Sequence, residues 1–313
     1  MFLELRDLCK RFGNQQVVNH LSLSLEQGEL LCMLGASGCG KTTTLKMLGG
    51  FLEADEGEIL ADGIRMNELP PERRPISTVF QSYALFPHMT VLENVIYGLK
   101  FQDIPRKKAR EKGMEYLELV GLSDAANRRI QEISGGQQQR VALVRALIMN
   151  PKVLLLDEPL SNLDAKLRVK MREEIRQLQR RFGTTMIFVT HDQEEALTLA
   201  DKIAIMDQGN LLQIGTPEEV YNCPANLFAM NFLGFANALP GPGDTTIYVR
   251  PEHIQIDPGG ELEGTICHRE FLGFYQQYMV KTGDRDIVVK ANWDQVFSEG
   301  ESVRLRIMKK IPM

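Results

Sequence analysis

Apolar residues are spaced in three ways along this chain, and each way predicts a different kind of element. Alternation comes first: Phe2, Leu3, Leu5 and Leu8, then Val17-Val18 and Leu21, Leu23 and Leu25 read as half-buried strands. Continuous apolar runs follow at Leu30–Leu34, Val153–Leu156 and Thr185–Val189. Runs of that length and type belong to strands buried on both faces, in the middle of a largely parallel sheet. Between Glu53 and Asn67 the turn signals Glu56-Gly57 and Asp62-Gly63 flank Ile59-Leu60, which predicts a β-hairpin. Val79-Phe80-Gln81 ends a further strand, and Lys202–Asp207 turns through Gln208-Gly-Asn210 into Leu211–Ile214. Helical spacing begins at Leu45 and Leu48 and recurs over Glu93–Leu99, Lys107–Val120, Val141–Met149 and Ala165–Arg181. Thr216-Pro217-Glu-Glu219 forms a capping box with proline at the first helical position.

After Ala238 the texture changes. Ala238-Leu-Pro-Gly-Pro-Gly-Asp244 reads as a linker or a tight crossover. Beyond it only short strands are predicted: Thr246–Val249, His253–Ile256, Gly264–Cys267, Tyr278–Val280, Ile287–Ala291 and Ser302–Ile307. That pattern describes a small all-β, barrel-like domain. The expected organisation is therefore an α/β domain over residues 1–237, with a helix-rich insertion at about 82–150, and a β domain over 238–313.

Composition narrows the class without deciding it. The 313 residues are 43% hydrophobic and 25% charged, an ordinary globular mixture. A net charge of −5 does not suggest bulk nucleic-acid binding. No apolar run approaches the ~20 residues that span a bilayer. MFLELRDLCKRF has acidic residues early and no cleavable apolar core, so it is not a secretory signal. The five cysteines are scattered, and none forms C-x-x-C, so neither a disulfide framework nor a zinc site is indicated. A reducing cytosol is the expected compartment.

The candidate chemistry starts between the first buried run and the first helix. Gly35-Ala-Ser37-Gly38-Cys39-Gly40-Lys41-Thr42, followed by Thr43, fits G-x-x-x-x-G-K-[ST] in the strand-to-helix setting of a phosphate-binding loop. Glycines let successive backbone N–H groups face one hollow, and the following helix adds its positive end. Lys41 can reach the β- and γ-phosphates, and the Thr42 hydroxyl can ligate Mg²⁺. The run Val153–Leu156 ends in Asp157 and Glu158, and Thr185–Val189 ends in Thr190-His191-Asp192. Ligands collect at such strand ends. There Asp157 can hold Mg²⁺, Glu158 can polarise a water, and His191 can contact the γ-phosphate. Ser134, Gly135, Gly136 and Gln137 open a helix, either as an ordinary cap or as an anion site. Phe12 either covers a sheet edge or offers a stacking face for adenine.

Taken in order, these motifs resemble the ATP-binding subunit of ABC transporters. GASGCGKTT resembles Walker A, FQSYALFPHMTVLENV the Q-loop region and ISGGQQQR the ABC signature. LLLDEP resembles Walker B, SNLD the D-loop and VTHDQEEA the H-loop. Ile133 stands where Leu is usual, Ala36 where Pro is common and Phe12 where Tyr is frequent. Tyr248-Val-Arg-Pro-Glu252 and the β pattern after it resemble the OB-like, transport-associated domain of polyamine, ferric-iron, sulfate, phosphonate and maltose-type importers. The resemblance implies a homodimer that sandwiches two ATP molecules. Each site would join the phosphate loop of one copy to Ser134–Gln137 of the other, with Asp164 alongside. It further implies that Gln81 touches Mg²⁺ or the attacking water and that Tyr83–His88 meets an integral membrane permease. A solute-binding protein would act indirectly, and the chain would sit at the cytoplasmic face of the inner membrane.

Two other classes fit parts of the pattern. A soluble ABC ATPase working on nucleic acid or ribosomes would use the β domain as an RNA platform. Its aromatics Phe271, Phe274, Tyr275 and Tyr278 lack the interleaved basic residues such a platform needs, so no nucleic-acid partner is expected. A P-loop kinase or GTPase would lack the Ser134–Arg140 motif, and the N-K-x-D motif that reads guanine does not occur.

Overall fold

The computed structural model describes residues 1–312, which divide into two compact units, Met1–Pro217 and from Glu218 onward. The first unit begins with β1 (Leu3–Phe12) and β2 (Gln15–Leu25), then β3 (Leu30–Gly35) and α1 (Lys41–Leu48). The hairpin β4 (Glu56–Ala61) and β5 (Ile64–Arg65) follows, turning at Asp62-Gly63 as its sequence predicts. After β6 (Ile76–Val79) come α2 (Val91–Ile96), α3 (Arg106–Leu119) and α4 (Gly135–Leu147). The unit continues with β7 (Val153–Asp157), α5 (Ala165–Phe182), β8 (Thr185–Thr190) and α6 (Gln193–Leu199), and then β9 (Lys202–Asp207) and β10 (Asn210–Gly215).

Two sheets result. One is antiparallel, in the order β2-β1-β4-β5; the other runs β10-β9-β3-β8-β7-β6. In the second sheet β9, β3, β8, β7 and β6 are mutually parallel and β10 is antiparallel to β9. Every residue of β3, β7 and β8 is buried, as their unbroken apolar runs require. Each large aliphatic side chain so buried contributes about 1.5–3 kcal/mol. The order places β3, β8 and β7 side by side, so Gly35, Thr190 and Asp157 end neighbouring parallel strands. Where alternation suggested two short strands, the structure has one. β2 runs unbroken from Gln15, and shifts in its register with β1 absorb the polar interruption at Asn19-His20.

Helix α7 (Pro217–Asn222) begins at the proline its capping box marks, the last residue of the first unit, and α8 (Leu227–Leu233) follows in the second. Strand β11 (Asn237–Pro240) pairs antiparallel with β12 (Thr246–Val249). The stretch Ala238–Asp244 is therefore no linker: it turns tightly, with Gly241 N donating to Thr245 O at 2.7 Å. The remaining strands are β13 (Ile254–Ile256), β14 (Leu262–Phe271), β15 (Tyr275–Thr282), β16 (Arg285–Asn292) and β17 (Ser302–Ile307). They form an all-antiparallel sheet ordered β13-β17-β14-β15-β16. Ile254, Ile266, Tyr278, Val280, Val289 and Leu305 fill its core. Arg250, only 1% exposed, lies beside that core. Its guanidinium donates to Met230 O at 3.0 Å and Tyr221 O at 3.2 Å and stacks 4.3 Å from the Tyr221 ring centroid. Those bonds use the unpaired carbonyls at helix ends and offset the cost of burying a cation.

Candidate nucleotide site

The phosphate loop spans the gap from the end of β3 to the first residue of α1. Its glycines are required by close approach. A Cβ on Gly35 would lie 2.3 Å from Met206 O, and one on Gly40 would lie 2.4 Å from Val17 O. Gly40 also sits at φ 103°, which a side chain would disfavour. It caps α1 without a side chain, so the helix presents uncapped N–H groups to the loop. Ala36, Ser37 and Gly38 are exposed, whereas Cys39 and Lys41 are buried. The Lys41 ammonium folds back over the loop, donating to Gly35 O at 2.8 Å and Ala36 O at 2.9 Å. The Cys39 Sγ lies 3.5 Å from it.

The carboxylates stand where the strand order puts them. Thr42 Oγ1 donates to Asp157 Oδ1 at 3.0 Å, joining the start of α1 to the end of β7. Burial pushes the Asp157 carboxyl above the usual range; the Thr42 hydrogen bond opposes this and the neighbouring Glu158 charge adds to it. Glu158 is a non-glycine residue at φ 43°. That backbone is held by Glu158 N donating to Val189 O at 3.1 Å and by Ser161 Oγ donating to Glu158 O at 2.9 Å. A strained conformation secured from both sides aims the carboxylate rather than leaving it to a flexible turn. Gln81 Nε2 lies 3.4 Å from Glu158 Oε2 and donates to Ser161 Oγ at 3.2 Å. His191 Nδ1 approaches the same Glu158 oxygen at 3.4 Å. Gln81, Glu158 and His191, from three separate segments, thus meet at one carboxylate.

Other predicted residues stand apart. Ser134 caps α4 in a box with Gln137: Gln137 Oε1 accepts from Ser134 N at 2.9 Å, and Ser134 Oγ accepts from Gln137 N at 3.4 Å. Among the described residues, no hydrogen bond or ion pair joins Ser134–Gln137 to the phosphate loop, Asp157, Glu158 or His191. Gly135 has open space where a Cβ would stand, while one on Gly136 would press on Leu167. Asp164 caps α5, its carboxylate accepting from Leu167 N at 3.0 Å. Phe12 ends β1 half-exposed, with the Lys10 ammonium 5.8 Å from its ring centroid. In the Tyr83–His88 stretch, Arg145 donates to Tyr83 O at 2.7 Å and Ala84 O at 2.8 Å, and the Phe86 and Tyr97 rings lie 4.6 Å apart.

Two further side chains tie these segments together. Asn162 Nδ2 donates to Gln81 O at 3.1 Å and ties the segment after Glu158 to Gln81. Arg145 reaches from α4 across 61 residues of chain to Ala84. Neither has a local signal, because each bond closes between segments distant in sequence.

A glycine loop between a buried parallel strand and a helix, with a Thr–Asp pair across its mouth, defines a P-loop nucleotide hydrolase. The ABC transporter family model matches residues 18–161, and a TOBE domain model matches residues 247–309. The spermidine/putrescine import ATP-binding protein PotA of Clostridium novyi (strain NT) is 42% identical over 92% of this chain and 90% of its own length. The Fe(3+) ions import ATP-binding protein FbpC 1 of Rhizobium meliloti (strain 1021) is 46% identical over 88% of this chain and 87% of its own. Among solved structures, the dimeric ATP-binding cassette MJ0796 bound to ADP and Pi superposes with a TM-score of 0.62 at 31% identity, covering 69% of this chain and 98% of that one. The chain belongs to the ABC transporter family, as an ATP-binding subunit with a C-terminal TOBE domain.

Proposed function

We propose that this chain is the ATP-hydrolysing motor of an importer for a small polar solute, with ferric ion and polyamines as first candidates and a small oxyanion as the third. The relatives named for Fe(3+) and spermidine/putrescine import support that solute class. The convergence of Gln81 and His191 on Glu158, beside the phosphate loop, carries the catalytic part. Lys41, Gly35, Ser37, Gly38, Cys39, Gly40, Thr42 and Thr43 bind the triphosphate, and Phe12 stacks on the base. Lys41 exchanges its loop carbonyls for phosphate oxygens. Glu158 orients the attacking water, Gln81 touches that water or the metal ion, and His191 contacts the γ-phosphate.

The donor set fits Mg²⁺. Thr42 and Asp157 offer hard oxygen atoms 3.0 Å apart. Among the described residues, no group of three or more His, Cys, Asp or Glu could hold a metal. The pair therefore suits an ion that arrives with phosphate and water ligands of its own, Gln81 adding a further oxygen. When bound, the ion neutralises developing phosphate charge. Its charge also favours the ionised form of Asp157, which burial alone disfavours.

Two copies enclose two nucleotides. Ser134, Gly135, Gly136 and Gln137 of the second copy face the γ-phosphate, and Asp164 lies at the seam. Closure requires ATP on both surfaces, so hydrolysis drives opening, and the difference in contacts supplies the work. The segment from Gln81 to His88 meets a membrane permease at the cytoplasmic face of the inner membrane, and a solute-binding protein delivers cargo to that permease. No helix among the described residues is long and apolar enough to cross a membrane.

The test is affinity capture of the tagged chain from gently solubilised membranes, with mass spectrometry of its partners. Integral permease subunits are expected. Their solute-binding protein is then screened with Fe³⁺, spermidine and oxyanions by thermal shift. Recovery of ribosomal proteins without a permease would overturn the importer reading.

A further inference from the structure

His191 is the least supported of the groups around Glu158. It follows the last residue of β8, and its side chain is 58% exposed. The backbone on either side of it is nonetheless closed into a ring of three hydrogen bonds. Asp192 N donates to Thr190 Oγ1 at 3.0 Å, Glu195 N donates to Asp192 Oδ1 at 3.0 Å, and Thr190 Oγ1 donates to Glu195 Oε2 at 2.6 Å. The first bond spans His191, so the turn that aims the imidazole is drawn shut by the Thr190 hydroxyl. The third bond sets that hydroxyl. A serine or threonine hydroxyl rotates freely unless its hydrogen is claimed. Here the Glu195 carboxylate claims it, leaving the lone pairs for Asp192 N.

Capping does not explain Glu195. Asp192 already caps α6, and Glu194 supplies an exposed acid to the same first turn. Glu195 and Thr190 are 4% and 2% exposed. Burying a carboxylate costs free energy that an apolar side chain at the same place would avoid. The cations nearest it do not neutralise it directly: Arg172 pairs with Glu194 at 2.8 Å, and Arg168 lies 3.7 Å from Asp192. Its one side-chain hydrogen bond goes to Thr190. Consistent with this, burial raises the Glu195 pKa and the Thr190 hydrogen bond lowers it.

We propose that Glu195 is the positioning residue for His191, acting through the Thr190 hydroxyl to fix the turn from which the imidazole reaches Glu158 and the γ-phosphate. The inference rests on the role of His191 proposed above. It requires an acceptor at residue 195, not a charge.

The experiment is steady-state ATPase kinetics of the full chain, per folded protein, for Glu195→Ala, Glu195→Gln, Thr190→Val and His191→Ala. A misplacement near 1 Å costs up to about a hundredfold. Glu195→Ala and Thr190→Val should each lower kcat by about ten- to a hundredfold, with KM for ATP held within about twofold. Glu195→Gln, which keeps the acceptor, should restore kcat to within about threefold of wild type. The Glu195→Ala/Thr190→Val pair should be no worse than either alone, because both cut one chain of bonds. If Glu195→Ala lowers Tm but leaves kcat and KM unchanged while His191→Ala is inactive, Glu195 is structural only and the proposal is overturned. It is equally overturned if Glu195→Gln is as impaired as Glu195→Ala. Wild-type turnover by His191→Ala would instead refute the role of His191 itself. Thr190→Val carries the same test should Glu195→Ala not fold.

Discussion

Two helices of the first unit begin with glycine-bearing motifs, and they begin differently. α1 starts at Gly40 with no side chain over its N–H groups, and Lys41 and Thr42 turn inward to the loop and to Asp157. α4 starts at Ser134 with its own box, Ser134 and Gln137 satisfying each other's backbone. The first is a site that one chain assembles from its own strands. The second is closed upon itself, and its Ser134–Gln137 bond is long, at 3.4 Å. A bond so weak is readily exchanged for a charged acceptor, since charge-assisted bonds are about twice as strong. The contrast fits the proposal that one chain binds nucleotide by itself and needs a second copy to hydrolyse it.

Three substitutions sharpen or break that contrast. Lys41→Ala should act most strongly. It removes the one cation within the phosphate loop and should cut turnover by at least about a hundredfold, with nucleotide binding to the isolated chain failing in a fluorescence titration. Retained binding would show that α1 is not the primary site. Ser134→Ala comes next. Turnover should fall by about tenfold or more, while the single chain still binds ATP. Were Ser134 only a cap, its loss would instead cost about 1 kcal/mol of stability and leave turnover per folded chain intact. Asp157→Asn in the nucleotide-free chain should show the smallest effect, one on stability. Burial raises the Asp157 pKa, so the fold holds that proton more tightly than the unfolded chain does. The stability this contributes is complete below the unfolded pKa and is lost as pH rises through the folded one. Nucleotide-free Asp157→Asn should therefore melt above wild type at pH 7, and the gap should close as pH falls toward about 4. Calorimetry across pH checks the sign.

Much of this site could be read in the sequence because its parts are contiguous. The phosphate loop, Asp157-Glu158 and His191 each end a run of buried residues, and strand ends in parallel sheets gather together. Their convergence could not be read. That Gln81 and His191 meet at the same carboxylate follows from β6, β7 and β8 lying side by side, which no local pattern encodes. The positive φ of Glu158 was hidden too, since it is set by Val189 O and Ser161 rather than by a glycine. In the second unit, Pro and Gly at Pro240–Gly243 gave the same signal for a linker as for the hairpin turn they form. The burial of Arg250 left no mark in its neighbours, because its partners are backbone carbonyls.

The most direct test of the central claim, that catalysis needs Glu158 and a second copy, is light scattering of Glu158→Gln with and without ATP, alongside its hydrolysis rate. Hydrolysis should fall at least about a hundredfold below wild type, and a stable dimer should form only with ATP. Wild-type hydrolysis, or a chain that binds ATP and stays monomeric, would contradict it.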